Sequence, residues 1–97
     1  MAKGYWIGRM DVKDAAVYDT YRAANAAPLK AYGAKFLVRG GQQDVREGDW
    51  RSRTVVLEFA SYADAVACYE SDAYRAAKDI RLPVADADMI IVEGYDG

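Results

Sequence analysis

From Arg53 to Phe59 the chain reads RTVVLEF, an apolar run too short for an independent helix, and it closes directly into ASYADAVACYE. Bulky and β-branched residues in such a run predict a strand at the centre of a sheet. Ser61 offers a side-chain oxygen and Asp64 a carboxylate three residues later, a helix start that also suits the positive end of the helix dipole. The helix therefore folds straight back over one face of the strand. Around this unit the remaining pattern falls into place. Residues 4–10 (GYWIGRM) alternate as a first strand, with Tyr5, Ile7 and Arg9 on one side and Trp6, Gly8 and Met10 on the other. Asp14 is the expected N-cap of a first helix whose Tyr18, Tyr21, Asn25, Pro28, Leu29 and Tyr32 recur at three- and four-residue spacing. Pro28 lacks an N–H and clashes with the preceding turn, so that helix kinks or stops near Ala26 and restarts, with Gly33 as its C-cap.

Residues 34–41 (AKFLVRGG) read as a second strand, and Gln42 to Ser52 as a polar hairpin connection turning at Glu47-Gly48-Asp49 and containing a bulge. The second helix is expected to break at Ser71-Asp72, restart over 73–80 and end before Pro83. Residues 88–95 (DMIIVEGY) complete the chain as a fourth strand. The order strand, helix, strand, strand, helix, strand is the βαββαβ pattern of an α+β, ferredoxin-like domain over residues 1–97. It places two helices on one face of a four-stranded antiparallel sheet. Both faces of that sheet are apolar, since Val56 opposes Val55 and Leu57 while Met89 to Val92 is apolar at every position. The expected cover for the open face is a second copy, making a homodimer with a barrel-like interior.

Composition narrows the partners. With 97 residues there is room for one domain, and 13 basic against 15 acidic side chains give a net charge of -2, which disfavours nucleic acid. No run of 18 apolar residues exists and the first residues lead directly into a strand, so no membrane association and a cytoplasmic location are expected. The lone Cys68 agrees with a reducing compartment and reads as a small buried hydrophobe. Histidine is absent, which removes the commonest general base and the commonest metal ligand; no metal or organic cofactor is expected.

The blocks GYWIGRMDV, AANAAPLKAYGAKFLVRGG, EGDW, RTVVLEFASYADAVACYESDAYRAAK and IIVEGYDG resemble the small bacterial domain-of-unknown-function family 1330, a branch of the dimeric α+β barrel superfamily. The resemblance runs over nearly the whole chain and implies the fold and the dimer, but no activity. The wider superfamily includes cofactor-independent monooxygenases, muconolactone-isomerase-like enzymes and haem-binding proteins. The haem branch fits least well, for want of a histidine.

Asn25 stands out as an amide on an apolar helical stripe beside a proline, placed either to orient a ligand or to satisfy a carbonyl freed by Pro28. Arg39, beside Gly40-Gly41, can receive an anionic group or pair with Glu58 on the neighbouring strand. Arg9, Glu58 and Glu93 each place a charge on a largely apolar strand and together form an expected polar patch inside the dimer or at its rim. Tyr18, Tyr21, Tyr69 and Tyr95, with Trp6, either wall a cavity or fill the core. Trp50 reads as a lid or a dimer contact, and Asp86 with Asp88 as solvated carboxylates rather than metal ligands. The leading reading is a dimeric domain binding a small, partly apolar molecule through Asn25, Arg39, Tyr18, Tyr21, Trp50 and Glu58. Strict alternation separates Asn25 and Arg39 unless the chain bends. Two alternatives remain open: an oxygenase- or isomerase-like enzyme using tyrosine or a perturbed carboxylate, and a structural module. A cavity above about 300 Å³ with an unpaired ionisable group would mark the enzyme, satisfied polar walls a binder, and a filled interior the module.

Overall fold

The computed structural model describes residues 2–96. In chain order the elements are β1 (Gly4–Val12), α1 (Ala15–Ala24), α2 (Ala26–Ala31), β2 (Lys35–Arg39), β3 (Arg53–Phe59), α3 (Tyr62–Glu70), α4 (Asp72–Arg81) and β4 (Ala85–Glu93). All strand pairs are antiparallel in the order β2-β3-β1-β4, and the helices lie on one face. This is the α+β, ferredoxin-like architecture that the element order implies.

Local chemistry explains the helix boundaries. Asp14 accepts from the Val17 N–H, Ser61 from Asp64 and Ser71 from Tyr74, so the N-termini of α1, α3 and α4 each find a partner for one of their free amides. The first helical segment stops at Ala24 and restarts at Ala26, as the missing N–H of Pro28 requires. The strands differ from expectation in their ends, β1 running on to Val12, β2 spanning only Lys35–Arg39 and β4 spanning Ala85–Glu93, and in the place of the bulge. β4 starts at Ala85 rather than Asp88, because Ala85 and Ala87 alternate with the exposed Asp86 and Asp88 as a half-buried strand should. The bulge lies inside β2 rather than in the connection: Phe36 pairs with Leu57 and Val38 with Val56, leaving Leu37 as an extra residue.

Trp6, Met10, Leu57 and Phe59 on the sheet meet Tyr18, Tyr21, Leu29, Ala65, Cys68, Tyr74 and Ala77 of the helices to form the core. Trp6 satisfies its indole inside this layer by donating to the Ala65 carbonyl at 2.8 Å. Cys68 is buried there, and desolvation pushes its thiol up to about 11.

Among the described residues no helix or strand covers the second face of the sheet, which is crossed only at its Arg9–Asp88 end by Asp49, Trp50 and Arg51 of the connection, and the molecule is a slab of 38 × 35 × 17 Å. Register places Val38, Val56, Ile7 and Ile90 in one row across all four strands. Val38 and Ile90 are exposed on that row. No described helix is long and apolar enough to cross a membrane.

Candidate functional site

The break between α1 and α2 falls at Asn25 and turns its side chain toward the cleft. Its backbone N–H still bonds to the Tyr21 carbonyl, and its carbonyl accepts from Leu29, so the main chain turns without losing partners. Its side chain caps nothing, and Oδ1 is buried without a hydrogen-bond partner. The residue is 6% exposed. An unpaired buried acceptor costs roughly 1–3 kcal/mol.

Beneath Asn25 lies a cleft walled by Trp6, Met10, Tyr18, Tyr21, Leu29 and Phe36, with Arg22, Arg39 and Arg53 also lining it. Its cavity is about 30 Å³, room for about two waters. The bulge brings Arg39 to it. With Leu37 unpaired, Phe36 and Arg39 share the helix side of β2, opposite Leu57 and Val55, and the guanidinium stacks 4.1 Å from the Phe36 ring centre. Asn25, Arg39, Tyr18 and Tyr21 are thus brought together.

Trp50 and Glu58 are not. Glu58 faces the other side of the sheet, where Tyr5 donates to it at 3.0 Å and Lys3 stands 4.0 Å away; it does not pair with Arg39. Trp50 donates to Thr54 Oγ1 at 2.9 Å and carries the Arg9 guanidinium 4.7 Å from its ring centre, so it does not lie over this cleft. The expected patch of Arg9, Glu58 and Glu93 also separates. Arg9 pairs with Asp88 at 2.9 Å, two strand positions beyond the Val56–Ile7 row from Glu58, while Glu93 pairs in register with Gly4 on the helix side. Tyr95 is 97% exposed and walls nothing. Asp86 pairs with Lys13 at 3.1 Å.

Arg53 belongs to the cleft and was missed by sequence reasoning, although its parity with Val55, Leu57 and Phe59 puts it on the helix face. Its guanidinium lies against Gly40, so the glycine pair receives a cation rather than the anion expected there. Gly40 has φ 68°, a conformation that favours glycine. Arg53 Nε is buried without a partner, and its Cζ stands 5.8 Å from the Tyr18 ring centre. Arg81, 4% exposed at the end of α4, lies 5.5 Å from the Tyr21 ring centre.

Tyr18 and Tyr74 are poor bases. Tyr18 donates to the Met10 sulfur at 2.8 Å, and burial pushes its pKa up against the opposing pull of Arg53. Tyr21 and Tyr74 share a 2.8 Å hydroxyl hydrogen bond, and desolvation followed by the nearby Tyr21 pushes Tyr74 far up. No group of three or more potential metal-ligating side chains occurs among the described residues.

A family model described as "Domain of unknown function (DUF1330)" matches residues 3–95. No curated protein matches the sequence. Among solved structures, the RPA0582 protein of unknown function from Rhodopseudomonas palustris is similar with TM-score 0.76 and 17% identity, covering 99% of this chain and 85% of that one. SnoaB, a cofactor-independent oxygenase from Streptomyces nogalater, gives 0.65 at 11% identity, covering 100% and 97%. A dimeric ferredoxin-like protein of unknown function from Thermobifida fusca gives 0.60 at 17%, covering 95% and 89%. At these identities the likeness is one of fold.

Proposed function

The chain belongs to the DUF1330 family, and from that premise we propose that it is a cytoplasmic homodimer that binds a small, partly apolar molecule in the cleft between α1, α2 and the sheet. The observation that carries this reading is the unpaired, buried Asn25 Oδ1 on a wall of aromatic rings. The cleft matches none of the three simple outcomes. It is far too small for a large pocket, yet its polar groups are not satisfied and its interior is not closed by packing. Unsatisfied groups in a nearly filled space fit a site that opens at the α1–α2 break to admit a ligand supplying the missing partners.

Thermal-shift screening with small carboxylates and aromatic phenols tests the reading. At least one class should raise the melting temperature of the native chain, and Asn25→Leu should abolish the rise. No shift across the panel would overturn it and leave a structural module.

The dimer is supported by the row Val38, Val56, Ile7 and Ile90, flanked by the charged residues Glu58 and Arg9, and by the dimeric Thermobifida relative. Light scattering should give twice the chain mass of 10.7 kDa. A single-chain mass at micromolar concentration would remove the dimer. The location rests on the solitary, unpaired Cys68.

A second reading, proton abstraction from a phenolic substrate in an oxygenase-like reaction, is favoured by the fold shared with SnoaB. The raised pKa of Tyr18 and Tyr74 weighs against it, because a buried neutral phenol is a weak base at neutral pH.

A further inference from the structure

The charge balance of the cleft is one-sided. Arg22, Arg39 and Arg53 line it, Arg81 stands behind Tyr21, and no aspartate or glutamate is among the lining residues. Arg22 is the exception in having a carboxylate, Asp19 at 3.3 Å on the exposed side of α1. Among the described residues Arg39, Arg53 and Arg81 have no acidic group within salt-bridge distance; they rest on the rings of Phe36, Tyr18 and Tyr21 instead. Of the remaining arginines, Arg9, Arg22, Arg46 and Arg51 have carboxylate partners, and Arg75 has none among the described residues. Arg9 and Arg51 share Asp88, and Arg51 also takes Asp11. Arg39 and Arg53, neither with a carboxylate partner among the described residues, thus line the same cleft as the buried, unpaired Asn25 Oδ1.

Arg53 is half-buried with its Nε–H unpaired, and Arg39 is exposed at the cleft edge beside it, so the two guanidinium groups offer donors to an anion entering the cleft. Such an anion supplies the missing counter-charge. We propose that the ligand is a small carboxylate with a flat or aliphatic apolar body. Its carboxylate lies between Arg39 and Arg53, its body faces Phe36, Leu29 and Trp6, and a hydroxyl or N–H donor, where present, reaches Asn25 Oδ1. A carboxylate fits better than a phosphate because its planar pair of oxygens matches a guanidinium fork at a single negative charge. The lining also offers no lysine and no run of backbone amides to share a second charge.

This inference rests on the cleft being a ligand site, and matched acid and amide pairs separate the two claims. Calorimetric titration of the full chain with benzoate, hexanoate and indole-3-acetate is compared with their carboxamides. At least one acid should bind about tenfold more tightly than its amide. Arg53→Met and Arg39→Gln should each weaken the acid by about fivefold or more while leaving the amide within about twofold. Arg39 is exposed at the cleft edge, so its variant should fold even if that of Arg53 does not; circular dichroism checks both. Acid and amide binding alike, each lost in Asn25→Leu, would overturn the carboxylate assignment while the cleft stands. Acid preference that survives both arginine variants would also overturn it. No binding by any of the six compounds would overturn this inference together with the proposed function.

Discussion

The guanidinium of Arg53 occupies the space where a side chain at Gly40 would have to begin. Gly40 follows Arg39 at the end of β2, donates its N–H to the Thr54 carbonyl at 2.9 Å and has φ 68°. One glycine therefore sets the directions of two arginines, one by ending the strand and one by yielding room. Gly40→Ala should cost about 1–3 kcal/mol for the left-handed backbone alone. It should also displace Arg53 and weaken carboxylate binding. Gly41→Ala, with no atom in its way, serves as the control and should leave binding unchanged. Denaturant melts and calorimetry read both effects.

Asn25 links stability to function in the opposite direction. Replacing an unpaired buried amide by an apolar group of similar length removes a desolvation cost, so Asn25→Leu should stabilise the ligand-free protein by about 1 kcal/mol. That corresponds to roughly 4–8 °C in melting temperature. The same substitution should abolish ligand-induced shifts. A loss of stability of similar size would mean that the amide has a structural partner.

Acid dependence should trace to the loop anchor on the other face. Arg51 bridges Asp11 at 3.0 Å and Asp88 at 3.1 Å, and Ser52 donates its N–H to Asp11 at 2.9 Å. The Ser52 N–H leads in holding Asp11 below the usual carboxylate range, and the Arg51 hydrogen bond leads for Asp88. A depressed folded pKa means that the unfolded chain binds protons first. The contribution is then complete above the unfolded value near about 4 and disappears as pH falls through the folded value. The double variant Asp11→Asn, Asp88→Asn should melt lower than wild type at pH 6 and lose less on going to pH 3. Parallel melting curves across that range would contradict the assignment.

The bulge yields a deletion test. Because Leu37 is the extra residue between the pairs Phe36–Leu57 and Val38–Val56, removing it restores regular pairing and leaves Arg39 opposite Val55. Deleting Leu37 should preserve the fold, with a melting temperature within a few degrees of wild type, and preserve carboxylate binding. Deleting Val56, a paired residue in β3, should unfold the chain, since a one-residue slip turns Thr54 and Arg53 to the wrong faces.

What the sequence made legible follows the range of the interactions involved. Caps at Asp14, Ser61 and Ser71 and the break before Pro28 depend on neighbours within four residues, and they could be read directly. Asn25 was conspicuous for the same reason, as a polar position on a local stripe. The side of the sheet that Arg39 occupies depends on which residue of β3 pairs with which residue of β2, and nothing local specifies a bulge. Grouping Trp50 and Glu58 with Asn25 failed on this ground, because sequence proximity to a site says little across a sheet. Arg53 was legible and overlooked: its alternation with Val55 and Leu57 already placed a cation under the helices. The start of β4 was obscured because Asp86 and Asp88 look like loop residues until their alternation with Ala85 and Ala87 is counted.

The most direct test of the cleft is a titration with indole-3-acetate, which carries both a carboxylate and an N–H donor, followed in the ¹H–¹⁵N spectra of the side-chain NH₂ of Asn25 and the Nε–H of Arg53. The account predicts saturable shifts of both signals, together with the backbone amides of Tyr18, Tyr21 and Arg39, while the indole N–H of Trp50 on the far face stays in place. Shifts confined to Trp50, Arg9 and Asp88, or an unchanged Asn25 signal at saturation, would contradict it.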